Sequence, residues 1–106
     1  MRAALFDAPG QPLIIGEVEA PQPLSTDLLV KVKACGICGT DLHLAAVTDR
    51  SGGMAPLGQG SIMGHEFCGE VVEVGSQAQK SAGGSWHEGD RVCALPYIAC
   101  GPCLDC

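Results

Sequence analysis

Two short stretches hold most of the residues in this chain that can do chemistry: Cys35-Gly-Ile-Cys38-Gly-Thr40-Asp41-Leu-His43 and Gly64-His65-Glu66-Phe-Cys-Gly69. A thiolate gives zinc a strong, soft bond, a neutral imidazole gives a nitrogen, and a carboxylate gives an oxygen. Cys38, His65 and Glu66 therefore form a candidate three-ligand set, which leaves open the fourth position that a catalytic zinc needs. Asp41 suits a different task, because a carboxylate beside a ligating imidazole accepts its second N–H and fixes the tautomer. Near the end, Cys100, Cys103 and Cys106 repeat the C-x-x-C spacing. In a reducing compartment that spacing is compatible with metal ligation and with dithiol chemistry alike.

These residues need rigid elements to hold them, and the surrounding pattern supplies strands. Short apolar runs cut by turn signals cover Arg2 to Phe6, Leu13 to Val18 and Leu28 to Ala34. In the third run Leu28, Val30, Val32 and Ala34 alternate with Lys31 and Lys33, which predicts a half-buried strand leading into the first cysteine stretch. Thr40 to Val47 reads as a short helix capped near Thr40 or Asp41. Gly69 to Val74 and Arg91 to Leu95 are further strand candidates, and DRSGGMAPLGQGS and GSQAQKSAGGSWHEGD read as surface loops. The expected fold class is mostly β with short helices. No βαβ alternation and no G-x-G-x-x-G between a strand and a helix occurs, so no cofactor-binding residue is assigned here.

Composition narrows the function classes. The chain has 106 residues, 46% hydrophobic and 17% charged, which fits one folded domain with a single core despite fifteen glycines. A formal charge of -6, without a Lys/Arg cluster beyond Lys31 and Lys33, leaves no electrostatic footprint for nucleic acid. The sequence holds no apolar run of about 20 residues and no signal-type opening, so no membrane span is expected and the chain reads as cytoplasmic. Seven cysteines, an odd number without a secretory signal, argue against a disulfide framework.

Blander readings compete at several positions. Cys100-Gly-Pro-Cys103 spells a thioredoxin-type dithiol, but that motif works in a βαβ setting, and ligation accounts for Cys106 as well. A ferredoxin-type run would leave the two upstream stretches unexplained. Cys35, Cys68 and Cys93 read as small core or site-wall residues. His87, beside Trp86 and Glu88 in a polar loop, reads as solvated.

The segment GHEFCGEVVEVGSQA, through Gly64, His65, Glu66, Gly69, Gly75 and Ala78, resembles the signature of zinc alcohol dehydrogenases. KACGICGTDLH upstream, and GDRV and CGPCLDC downstream, follow in that family's order, so the resemblance to zinc-dependent medium-chain dehydrogenases/reductases covers the whole chain. The wording is most similar to the polyol, butanediol and threonine dehydrogenase branch. The resemblance implies a GroES-like β-barrel catalytic domain over residues 1–106, cut within a structural zinc lobe, with the Rossmann domain that binds NAD(H) or NADP(H) outside this sequence.

It implies that Cys38 and His65 bind the catalytic zinc, with Glu66 as third ligand. It also implies that Thr40 takes the proton of a small alcohol or polyol and His43 relays it to water. Asp41 keeps its supporting part. Gly39 stands where ethanol-type relatives carry Arg or His. A homo-oligomeric full-length protein is implied too, and without its Rossmann domain the segment should not turn over substrate. The alternative to an enzyme part is a non-catalytic zinc-binding or thiol-redox β-domain.

The resemblance further implies that Cys100, Cys103 and Cys106 are three ligands of a structural zinc whose fourth cysteine follows. Three thiolates hold zinc less tightly than four. A chain extended through that fourth cysteine should therefore bind about two zinc ions where residues 1–106 bind about one. Metal analysis of both proteins checks this, and an equal zinc content would refute it.

Overall fold

The computed structural model of the chain describes residues 1–48, 56–80 and 83–96. Its elements run β1 Arg2–Leu5, β2 Ile14–Glu17, β3 Leu28–Cys35, α1 Gly39–Ala46, β4 Phe67–Val74 and β5 Arg91–Cys93. The mostly β expectation is met. Cys100, Cys103 and Cys106 lie outside the described residues, as does much of the loop between α1 and β4. Among the described residues no helix is long and apolar enough to cross a membrane.

β1 and β2 form an antiparallel hairpin, with Arg2 opposite Glu17 and Leu5 opposite Ile14. β3, β4 and β5 form a second antiparallel sheet in that order. Residues 60–63 join the two. The Phe6 N–H donates to the Ser61 carbonyl at 2.8 Å, the Met63 N–H to Ala4 at 2.9 Å, and Leu5 bridges Ile62. Phe6 and Val71 are the deeply buried apolar residues, 2% and 1% exposed.

The alternation expected of Leu28 to Ala34 holds only in part. Leu28 and Val30 are half-buried, but Leu29 is too, and Val32 and Ala34 are exposed. β3 also shifts register twice against β4: between Leu29 and Val30 the extra residue, Val72, is on β4, and between Val32 and Ala34 the extra residue, Lys33, is on β3, so that Ala34 and Cys35 follow an insertion. An extra residue on one strand of a pair rotates the following side chains off their face. β4 starts two residues before Gly69, since Cys35 and Ala34 pair with Phe67 and Cys68. β5 ends at Cys93, two residues before Leu95.

The helix also differs in its cap. Cys38, not Thr40 or Asp41, occupies the N-cap position with extended backbone. Asp41 is the third helical residue, and its Oδ2 accepts the Cys38 N–H at 3.0 Å. An acidic side chain there satisfies an orphan donor and suits the positive end of the helix dipole.

Gly69 sits at the tightest point of the β3–β4 pair. A Cβ there would run into the Lys31 carbonyl oxygen and approach Val30 Cγ1 to 2.7 Å. Gly69→Ala should destabilise the fold by about 1–3 kcal/mol, the usual range for overpacking. A lowered urea midpoint with an unchanged slope is the expected reading, and an unshifted midpoint would show that β3 yields freely.

Candidate metal centre

Antiparallel pairing builds the site. Because Cys35 at the end of β3 stands opposite Phe67 at the start of β4, the chain leaving β3 and the chain entering β4 occupy the same end of the sheet. The Gly36 N–H donates to the Glu66 carbonyl at 2.8 Å, carrying the pairing one step past the strands. Cys38 then lies beside His65, although 27 positions separate them in sequence.

Glycines make the approach possible. Gly64 has φ +103, a left-handed conformation that a β-carbon disfavours, and a Cβ there would come within 2.7 Å of Cys35 Sγ. At Gly36 a Cβ would sit 2.8 Å from Glu66 Oε2. The sequence marks the flexibility of Gly64 through its place before His65. The role of Gly36 depends on the long-range pair it makes with Glu66 and was not foreseen.

The ligating atoms of Cys38, His65 and Glu66 all lie within 4.8 Å of one another. Cys38 and His65 are half-buried and Glu66 is exposed. Asp41 Oδ1 is 3.2 Å from His65 Nδ1, so the carboxylate engages that nitrogen and leaves Nε2 as the second position of the ring. Asp41 thus spans two structures, the helix start through Oδ2 and the imidazole through Oδ1.

Thr40, in the first turn of α1, places its hydroxyl oxygen 3.6 Å from Cys38 Sγ. His43 follows three residues later, where a helix brings side chains to one face. Both are exposed. The arrangement polarises the cysteine and the histidine in opposite directions. The Thr40 backbone N–H, then its hydroxyl, then His65 favour the Cys38 thiolate and lower its pKa. The hydrogen bond with Cys38, supported by the Asp41 charge and opposed by partial burial, raises the pKa of His65. Both shifts favour the charged form of the group, the thiolate at Cys38 and the imidazolium at His65.

The donor set fits zinc. One thiolate, one imidazole and one carboxylate on adjoining loops match a three-ligand site with an accessible fourth position, and a carboxylate on the far ring nitrogen is the usual support of a ligating histidine. Beside this centre, a cavity of about 470 Å³ is lined mainly by apolar side chains, including Leu13, Ile37, Leu42 and Met63, with Cys35 and Asp41 on its wall.

Cys35, Cys68 and Cys93 depart from the core reading: Cys35 and Cys93 are exposed and Cys68 is half-buried. Cys35 does border the site. It follows the second register shift of β3 and pairs with Phe67 at the strand end. His87 is exposed, and its N–H donates to Asp90 Oδ2 at 3.2 Å, as a loop residue would.

Comparison with known proteins gives this geometry a context. The alcohol dehydrogenase GroES-like domain family matches residues 24–106. The chain belongs to that family. It is 34% identical to an L-threonine 3-dehydrogenase from Rhizobium rhizogenes across the whole chain, which corresponds to 29% of that enzyme. The alcohol dehydrogenase TADH from Thermus sp. ATN1 superposes with a TM-score of 0.79 at 39% identity, over 100% of this chain and 28% of that one. An NADP-bound structure from Sinorhizobium meliloti, assigned to the zinc-binding dehydrogenases, gives 0.74 at 40% identity over 99% and 27%. The GroES-like chain thus spans under a third of the length of these relatives.

The lowered Cys38 pKa has a chemical readout. In zinc-free protein, iodoacetamide should continue to modify Cys38 as the pH falls below the usual thiol range of about 8.5, slowing only as the pH drops through the lowered value. Peptide mass mapping follows the rate. Cys38 losing reactivity at the same pH as in the denatured chain would refute the assignment.

Proposed function

We propose that this chain is the metal-binding and proton-handling part of an NAD(P)-dependent oxidoreductase that oxidises a small alcohol or polyol to a carbonyl. The observation that carries this reading is the convergence of Cys38, His65 and Glu66 within 4.8 Å, with Asp41 on His65 Nδ1. Family membership and the identity to a threonine dehydrogenase and an alcohol dehydrogenase support it. In this reading residues 1–106 form a GroES-like domain, and Cys100, Cys103 and Cys106 belong to a second, structural zinc. The nicotinamide cofactor is held by a Rossmann domain of the longer protein, which is homo-oligomeric.

Each residue has a task set by its chemistry. Cys38 and His65 hold the zinc, and Glu66, the most exposed of the three, completes the set. Asp41 orients His65 and keeps Nε2 available. The metal, when bound, supplies Lewis-acid polarisation of an alcohol oxygen and so lowers the cost of removing its proton. Thr40, whose hydroxyl sits against Cys38, accepts that proton by hydrogen bond, and His43, one helical turn on and exposed, passes it to water. The neighbouring cavity offers an apolar wall beside the centre against which the carbon part of a small substrate can pack. The nicotinamide, when held by the Rossmann domain, would supply the hydride acceptor.

The test is a set of substitutions in the full-length protein. Cys38→Ser and His65→Ala should remove the zinc of this site and nearly all turnover. Thr40→Ala should keep the metal and lower kcat on the order of 10²-fold, the scale of a lost proton-transfer group. Metal content is read by elemental analysis beside activity. A Cys38→Ser protein with full zinc and full turnover would overturn the reading.

A further inference from the structure

Cys68 and Cys93 lie apart from the metal set and take no part in the reaction proposed above, yet the sheet places them directly opposite each other on β4 and β5. Their type of pairing follows from the neighbouring hydrogen bonds. The Ala94 N–H donates to the Phe67 carbonyl at 3.0 Å and the Val71 N–H to Asp90 at 2.9 Å. Phe67 with Ala94 and Val71 with Asp90 are thus hydrogen-bonded positions, and so by alternation is Gly69 with Val92. Cys68 with Cys93 is therefore a non-hydrogen-bonded pair. Such pairs bring Cα atoms to about 4.5 Å with side chains close together, inside the span of about 4.4–6.8 Å that a disulfide bridges. Both side chains point to one sheet face, opposite that of the buried Gly69 and Val71.

The surroundings favour contact with solvent thiols and disulfides. Cys93 is exposed, Cys68 is half-buried, and both are free thiols. They share a groove with Lys33, Glu70 and Arg91. Lys33 Nζ lies 3.6 Å from Glu70, while among the described residues Arg91 has no carboxylate within ion-pair distance. Two cations against one anion give the groove a net positive charge, which suits a low-mass disulfide bearing carboxylates.

We propose that Cys68 and Cys93 form a reversible dithiol–disulfide couple, oxidised by an anionic low-mass disulfide of the glutathione type. The exposed Cys93 sulfur attacks the oxidant, its S–S bond breaks, and one small thiol leaves. Cys68 then attacks the Cys93 sulfur of the mixed disulfide, releasing the second small thiol and forming the Cys68–Cys93 bond. The two protein thiols give up two protons and two electrons, and both appear on the two released thiols. The bond locks β5 to the first residues of β4, immediately after His65 and Glu66.

The experiment uses the full-length, zinc-loaded protein incubated with oxidised glutathione, then trapped with iodoacetamide and digested without reduction. The expected result is a cross-linked peptide joining Cys68 to Cys93 with a mass about 2 Da below the sum of the free peptides, lost on treatment with dithiothreitol. Zinc content should be unchanged, which separates this pair from oxidation of the metal ligands. In the Cys93→Ser protein the cross-link should vanish. Three outcomes would each overturn the couple: Cys93 retaining glutathione with Cys68 alkylated, either residue bridged to another cysteine instead, or both thiols alkylated after prolonged exposure. Failure of the metal assignment would leave this result unaffected.

Discussion

The antiparallel register of β3 against β4 governs the candidate site. With Cys35 opposite Phe67, the turn that leaves one strand and the turn that enters the other must meet. A slip of one residue would reverse the faces of β4 and carry His65 away from Cys38. Two close approaches hold the register, the fit of Gly69 against Lys31 and the hydrogen bond from Gly36 to Glu66. Each works only because a glycine leaves room.

Asp41 shows how one side chain can serve fold and chemistry together. As the third residue of α1 it satisfies the Cys38 N–H, which fixes where the helix begins and so where Cys38 Sγ stands. Its other oxygen engages His65 across the site. The Thr40 N–H and hydroxyl belong to the same first turn and favour the thiolate. The start of one short helix thereby prepares both protein groups best suited to hold a metal.

Among the described residues, deep hydrophobic burial is confined to two side chains. Phe6 and Val71 are buried, whereas Ile15, Leu24, Ile37 and Leu42 are well exposed. The hairpin of β1 and β2 meets the rest of the chain through hydrogen bonds to residues 60–63. In such a lightly packed unit, metal binding by side chains on two segments would add directly to folding stability, because the unfolded chain does not hold the ligands together.

The sequence by itself determined the donor types of the candidate centre and the class of the fold. A cysteine, a histidine and two carboxylates in two glycine-bounded stretches already fit a zinc-type donor set, and the alternating runs already specified strands, because donor chemistry and side-chain period are local properties. Local signals also located α1 within one residue. The tertiary structure decided what depends on distant partners. It set the register shifts of β3 against β4, the early start of β4 and the need for space at Gly36. It also exposed Cys35 and Cys93, which their residue type alone would bury, and set Cys93 against Cys68. Each of these follows from strand register, a relation between residues some 25 to 50 positions apart that no local pattern encodes.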